Sequence, residues 1–343
     1  MSRSVRRINK HTTSYRPDRI GSGYNVNLLQ TAAKLFVLVI LAVSCGGDAG
    51  PVDILRTTEC EGREVSPVVF NGILYRFEYV PRSRSEIGES YFRFVDVETG
   101  RPTPPFGGAY HFGSMFVAGD TMSVFCVDKP GGSVITRYMS SDLKSWESVV
   151  AWEHPEWKIY QTSVCRGGDG FVMALELGGP QEVTGVRNTV RFLSSDDLAC
   201  WEVLPETQVF GFDRFIQSPW LTFSGGWYYL IVLEEKKDDS RNDYLTSYEP
   251  RLYRSRDLAD WTEARRGLPE LSPVDMLVGN PLLSQGKRQE ISRSMDYFLS
   301  DVDFAEYEGR TKLFYTWNDR LGSRCTVEGE SPASLETFLG EGF

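Results

Sequence analysis

A short turn motif occurs three times in the middle of the chain, and each copy follows a strand-like run. The copies read Asp142-Leu143-Lys144-Ser145-Trp146, Asp197-Leu198-Ala199-Cys200-Trp201 and Asp257-Leu258-Ala259-Asp260-Trp261, so the Asp residues are 55 and 60 positions apart. An Asp side chain can bind the backbone of its own turn, and a Trp ring can fill the gap between neighbouring sheets. Repetition at this spacing, with about four strand-like segments per unit, indicates a β-propeller.

Pairs of strand-like segments rich in aromatic and β-branched residues give the number of blades. The first members, which we expect to be the innermost strands, are Val65–Phe70, His111–Ala118, Thr162–Arg166, Ile216–Phe223 and Val302–Tyr307. The second members are Ile73–Glu78, Met122–Val127, Phe171–Glu176, Trp227–Glu234 and Lys312–Asn318. Five pairs predict an all-β fold, a five-bladed β-propeller, over residues 59–343.

Composition excludes several classes of function. The 343 residues carry a formal net charge of −10, which argues against a nucleic-acid surface, because phosphate binding needs clustered Lys and Arg. The chain has three His residues and no zinc-ligand spacing, so we predict neither a metal nor a cofactor. We expect a monomer.

The N-terminal region has the pattern of an export signal. An apolar run from Leu35 to Val43 is too short to span a bilayer but matches the apolar part of a secretory signal. It ends at Ser44-Cys45, which is similar to a bacterial lipoprotein cleavage box. We therefore predict a signal over residues 1–45, lipid attachment at Cys45, a tether over 46–58, and a periplasmic or cell-surface lipoprotein. A plain secretory signal and an uncleaved anchor are the alternatives, and one hypothesis places the true start at Val26.

Strand polarity predicts where polar side chains gather. In a propeller, the starts of the innermost strands and the ends of the second strands lie at the same mouth of the central channel. First-strand starts contribute Glu64, His111, Gln161, Thr162, Gln217, Ser218, Asp301 and Asp303, and second-strand ends contribute Glu78, Glu176, Glu234, Glu235, Asn318 and Asp319. Three blades thus carry a Glu at what we expect to be an equivalent strand end.

Clustered carboxylates with aromatic walls suit glycoside hydrolysis, which needs one protonated carboxyl and one ionised carboxylate. We predict Glu176 as the general acid, because apolar neighbours from Met173 to Leu177 raise a carboxyl pKa. Asp301, beside Ser300, is the predicted base, and Glu234 orients the sugar or tunes the acid. Glu78 and His111 are predicted to bind sugar hydroxyls, together with Thr162, Ser218, Asp303 and Asn318, and Trp317 is a candidate stacking platform.

Several motifs also resemble those of a known superfamily. They are His111-Phe112-Gly113-Ser114, Thr162-Ser163-Val164-Cys165, Ser218-Pro219, Tyr248-Glu249, Ser300-Asp301-Val302-Asp303-Phe304 and Thr316-Trp317-Asn318. Over most of residues 60–343 the chain resembles bacterial five-bladed propellers grouped with the arabinanases, levansucrases and invertases, which include glycoside hydrolase families 32, 43 and 117. The resemblance implies action on carbohydrate, usually with inversion, and adds Glu249 to the predicted binding residues.

The chain departs from family 43 at the catalytic positions. Family 43 enzymes place Asp, Asp and Glu in blades one, two and three, whereas the corresponding strand starts here carry Glu64 or Ser66, His111, and Gln161 or Thr162. A hydrolase would therefore use a rearranged set of carboxylates. A non-catalytic carbohydrate-binding propeller is the alternative, and a lyase, transferase or phosphorylase on the same fold stays open.

Overall fold

Five antiparallel sheets make up the part of the chain that the computed structural model describes, namely residues 52–58, 63–236, 247–266, 268, 284–286, 289, 298–318 and 324–343. These residues all belong to one unit, Asp48–Phe343. The sheets are arranged as a five-bladed β-propeller, which confirms the predicted fold class. Among the described residues, no helix is long and apolar enough to cross a membrane.

Blades 1 to 4 are runs of consecutive strands with the innermost strand first, and blade 5 adds the first strand of the described chain to three consecutive ones. Blade 1 consists of β2 (Arg63–Phe70), β3 (Ile73–Val80) and β4 (Tyr91–Asp96). Blade 2 consists of β5 (His111–Ala118), β6 (Thr121–Val127), β7 (Val134–Ser140) and β8 (Glu147–Glu153). Blade 3 consists of β9 (Ile159–Arg166), β10 (Phe171–Leu177), β11 (Thr189–Ser195), β12 (Glu202–Val203) and β13 (Val209–Phe210).

Blades 4 and 5 complete the ring. Blade 4 consists of β14 (Ile216–Ser224), β15 (Trp227–Lys236), β16 (Ser247–Ser255) and β17 (Trp261–Glu263). Blade 5 consists of β18 (Phe298–Tyr307), β19 (Arg310–Asn318), β20 (Arg324–Ser331) and β1 (Asp53–Thr58). Helical segments include a 3-10 turn at Arg82–Arg84 and α-helices at Gln181–Thr184 and Leu335–Gly340. The last of these buries Phe338 and Leu339 against blade 5.

The N-terminal strand closes the ring. β1 pairs with β20, so the outermost strand of blade 5 comes from the beginning of the described chain and the inner three come from its end. Residues 53–58 were predicted as part of a tether, but they form this strand instead. Without it, β20 would present an unpaired edge. A buried ion pair joins blade 5 to blade 1: Arg76 lies 3.0 Å from Glu328.

Each of the three repeated turns connects the third and fourth strands of one blade, and its Trp ring lies between that blade and its neighbour, as predicted. In each turn the Asp carboxylate accepts two backbone N–H groups, for example those of Ala199 and Cys200 at 2.8 and 2.9 Å from Asp197. Each Trp ring packs on the preceding blade: Trp146 stacks on Phe106 at 3.8 Å, Trp201 meets Phe125 edge-on at 5.8 Å, and Trp261 stacks on Phe192 at 5.8 Å.

Candidate active site

The five innermost strands surround a channel that holds a cavity of about 410 Å³. Three carboxylates near the strand starts line it: Glu64 from β2, and Asp301 and Asp303 from β18. Glu306 and Arg166, which come near the ends of β18 and β9, line it at the opposite end. The acidic cluster therefore marks one mouth of the channel.

A β-bulge near the start of every innermost strand determines which side chains enter the channel. At each bulge two residues lie opposite one residue of the second strand. The first bulge residues, in blade order, are Glu64, Phe112, Tyr160, Ser218 and Asp301. A bulge changes the direction of the side chains around it and increases the local twist of the strand.

Four of these first bulge residues have left-handed backbone conformations. Their φ angles are 53° for Glu64, 51° for Phe112, 53° for Ser218 and 54° for Asp301. A residue with a Cβ adopts this conformation at a cost of about 1–2 kcal/mol, so the surrounding structure must compensate for it. All four line the channel, whereas in blade 3 the second bulge residue, Gln161, does so instead of Tyr160.

The residues that follow the bulges form a second ring of channel contacts. Ser66 donates its hydroxyl to the Asp303 carboxylate, which joins blade 1 to blade 5. The hydroxyls of Ser114 and Thr162 lie 2.7 Å apart and join blade 2 to blade 3. These contacts hold the innermost strands in fixed positions around the carboxylates.

Asp301 is the charge common to the acidic cluster. Burial is the main cause that raises the pKa of Glu64 well above its usual value, and the charges of Asp301, Glu176 and Asp303 add to it, while a hydrogen bond with Gln161 opposes it. Burial also raises the pKa of Asp303 to about 7, against the Ser66 hydrogen bond and with a contribution from Asp301. Like charges in a confined site cannot all ionise together.

Glu176 lies next to this cluster but not in the channel lining. Its pKa is raised to about 7, chiefly by burial, with Asp301 contributing. One carboxylate oxygen accepts the Ser218 backbone N–H at 2.9 Å, and the other accepts the Asn188 side-chain amide at 2.7 Å. The prediction that burial raises the Glu176 pKa agrees with the structure. However, Glu176 is only 4% exposed and does not line the channel where a substrate would bind.

Glu78 occupies the corresponding position in blade 1, and the predicted contact with sugar is wrong there. Its side chain is completely buried, and its two oxygens bind Arg76 and Arg93, each at 2.7 Å. Glu78 lies opposite the bulge of blade 1, and its burial and two ion pairs keep it out of the channel lining.

Two further predicted residues lie outside the channel lining. Glu234 is not equivalent to Glu78 and Glu176, because Val232 occupies the position opposite the bulge in blade 4. Glu234 accepts the Tyr253 hydroxyl at 2.5 Å and lies 3.9 Å from Arg214. Glu249 pairs with Arg251 on β16, the third strand of the blade. The predicted equivalence of three Glu residues is therefore wrong for Glu234.

The other predicted residues have mixed outcomes. Thr162, Ser218, Asp301 and Asp303 line the channel as expected. His111 lies outside the lining, with Nδ1 2.6 Å from the Tyr79 hydroxyl, and its pKa is lowered by burial against the charge of Asp128. Trp317 and Asn318 belong to β19, but their side chains lie outside the described residues, as does Cys45.

Glu64 and Gln161 line the channel, where strand polarity placed them, but no catalytic or binding role was predicted from the sequence for either. Both stand near an innermost strand start, and that was the available signal. Among the described residues, no group of three or more His, Cys, Asp or Glu side chains has an arrangement suited to a metal ion.

Comparison with solved structures shows the same fold in carbohydrate-active proteins. The α-L-arabinanase of Cellvibrio cellulosa, solved with arabinohexaose, matches with a TM-score of 0.51 and 11% identity over 83% of this chain and 99% of that chain. A protein described as a glycoside hydrolase matches with a TM-score of 0.53 and 14% identity over 87% and 94% of the two chains. The native arabinanase of Bacillus subtilis matches with a TM-score of 0.52 and 10% identity over 81% and 96%.

At such low identity these likenesses establish the fold alone, which is the fold of the superfamily that the sequence motifs resemble. No family model matches the sequence. No curated protein is similar to it in sequence.

Proposed function

We propose that the protein is a glycoside hydrolase that acts on an oligo- or polysaccharide at the acidic mouth of the channel. The observation that carries this proposal is the cluster of Glu64, Asp301 and Asp303, in which burial and the charge of Asp301 raise the pKa of the two neighbours. Groups whose environments push their pKa values apart can serve as acid and base at the same pH.

In the proposed reaction one of these two neighbours is protonated and Asp301 is ionised. A protonated carboxyl gives its proton to the glycosidic oxygen, and the C–O bond breaks with its electron pair on that oxygen. Asp301, as the ionised carboxylate, removes a proton from the water that attacks the anomeric carbon. One sugar hydroxyl and one inverted hemiacetal result, and solvent restores both carboxyl groups to their starting states. The arabinohexaose bound to the Cellvibrio enzyme, which shares the fold, supports a carbohydrate as substrate.

A non-catalytic carbohydrate-binding protein is the second candidate. It is favoured by the strand starts of blades 2 and 3, where Phe112 and Gln161 line the channel and no carboxylate does so. Such a protein would bind sugar without forming product.

Turnover separates the two candidates. The full-length protein in detergent would be assayed against oligosaccharide and nitrophenyl glycoside panels, beside Asp301→Asn and the outer-strand control Glu147→Gln. Hydrolysis that falls by about 100-fold or more in Asp301→Asn, and is unchanged in Glu147→Gln, supports the hydrolase. Binding of a sugar by every variant with no product from any of them would instead identify a lectin-like protein.

We also propose export as a lipoprotein, on the strength of the apolar run and the Ser44-Cys45 sequence. Cys45→Ser should prevent acylation, so that the protein is recovered as a soluble or uncleaved form instead of a lipid-anchored one. Mass spectrometry of the N-terminal peptide provides the measurement. If the wild-type protein is soluble and its Cys45 is unmodified, the lipid-anchor proposal is wrong and the segment is a plain secretory signal.

A further inference from the structure

We infer that Glu64 is the general acid of the proposed reaction and that Glu176 is a positioning residue for the bulge of blade 4. This inference rests on the proposed function. It reverses the expectation from sequence, in which Glu176 donated the proton. The reason lies in the register that the five blades share.

The position opposite the bulge is buried in every blade. It holds Glu78, Cys126, Glu176, Val232 and Tyr315 in blade order. Four of these residues are 0% exposed and Glu176 is 4% exposed. A proton donor must come within hydrogen-bond distance of the glycosidic oxygen. Glu176 occupies a position that is buried in all five blades, and it lies outside the channel lining.

The hydrogen bonds of Glu176 also describe a structural role. Its two oxygens accept N–H groups from Asn188 and from the Ser218 backbone, at 2.7 and 2.9 Å. Ser218 is the left-handed residue of the blade 4 bulge, so Glu176 of blade 3 anchors the strand start of the next blade. A carboxyl oxygen retains acceptor lone pairs in either protonation state. Burial is the main cause of the Glu176 pKa of about 7, so this raised pKa is not by itself evidence for a catalytic role.

Glu64 has the position that Glu176 lacks. It is partly exposed, lines the channel, and is held at the first bulge position with a φ of 53°. Its carboxyl forms a hydrogen bond with Gln161 of blade 3, and among the neighbouring charges Asp301 has the largest effect on its pKa. An acid and a base from two adjacent blades would then face the same cavity. Glu64 would lose its proton to the departing oxygen, and Asp301 would gain one from water.

Leaving-group dependence tests this assignment, because a general acid is needed only when the leaving oxygen is basic. The probes are the 2,4-dinitrophenyl and 4-methoxyphenyl glycosides of the sugar that the nitrophenyl panel selects. Glu64→Gln should lose about 100- to 10,000-fold in kcat/KM on the 4-methoxyphenyl substrate, and far less on the dinitrophenyl one. The basic limb of its pH profile should disappear.

Glu176→Gln provides the opposite pattern. We expect equal fractional losses on both substrates, a retained basic limb, and faster hydrogen exchange at the Ser218 amide. Selective loss on the 4-methoxyphenyl substrate in Glu176→Gln, with Ser218 exchange unchanged, would overturn the inference while leaving the hydrolase intact. Absence of turnover by the unmodified protein would instead reject the proposed function, and with it the role of Glu64 as acid. Ser218 exchange would still decide the role of Glu176.

Discussion

Asp303 shows how a single carboxyl in the channel couples proton binding to folding. Its pKa rises from 3.8 to about 7 on folding, so between these values the folded protein holds a proton that the unfolded chain releases. The contribution of Asp303 to stability is therefore fully present below about pH 3.8 and is lost as pH rises towards about 7, with a limiting slope of about 1.4 kcal/mol per pH unit for one proton.

Asp303→Asn should remove this contribution. Its free energy of unfolding should decline less than that of the wild type between pH 4 and pH 7, as measured by urea unfolding at each pH. Asp142→Asn is a control of opposite sign, because the backbone N–H groups of Ser145 and Lys144 lower the Asp142 pKa. That contribution is lost as pH falls. Parallel curves for Asp303→Asn and wild type would contradict the buried state of Asp303.

Residue placement shows how far the sequence predicts this site. Strand polarity correctly placed Thr162, Ser218, Asp301 and Asp303 in the channel lining, since each follows the start of an innermost strand. It failed for Glu78 because the bulge adds one residue to the inner strand and changes which neighbours face the channel. Alternation of polar and apolar residues does not reveal a bulge, and one extra residue exchanges the two faces of a strand.

At the scale of elements, the repeated turn connects a local hydrogen-bond pattern to the packing between blades. The Leu of each turn adopts a left-handed conformation and is almost fully buried, with exposures of 2% for Leu143, 3% for Leu198 and 3% for Leu258. The Trp follows three residues later and covers the neighbouring sheet. The motif was predictable from sequence because all its parts are local.

Trp201→Ala should lower the free energy of unfolding by about 3–5 kcal/mol, as for other large-to-small core changes. Trp201 is 7% exposed and donates its indole N–H to the Leu198 carbonyl at 3.2 Å. Urea unfolding gives the measurement.

A matched pair of Phe variants separates packing from hydrogen bonding. Trp201→Phe removes the bond to Leu198, whereas the buried indole nitrogen of Trp146 has no partner. Trp201→Phe should therefore cost more than Trp146→Phe. Equal costs would show that the indole hydrogen bond contributes little.

At the scale of the whole molecule, the ring is closed by strand pairing and by charge. The sequence did not predict this closure, because β1 has few of the aromatic residues that mark the other strands, and its partner β20 is more than 260 positions away. Pairings this distant leave no local signal. The blade count was nevertheless correct, since each blade has its own strand pair.

Removal of β1 should open blade 5. A chain that begins at Glu59 should melt well below one that begins at Val52, by about 2–4 °C for every kcal/mol lost. It should also associate through the exposed edge of β20. Thermal unfolding and size-exclusion chromatography provide the measurements. Identical melting temperatures would show that the ring closes without β1.

The left-handed position shared by four innermost strands has a consequence for how chemistry can be distributed around the channel. The φ angles are nearly the same at Glu64, Phe112, Ser218 and Asp301. A point substitution at any of these positions can therefore change the functional group without changing the propeller. An acidic residue at Phe112 or Ser218 would enter the same cavity from a different blade. The position of a carboxylate around the ring is thus a property of side-chain identity, and related propellers can carry their reactive groups in different blades without any change of architecture.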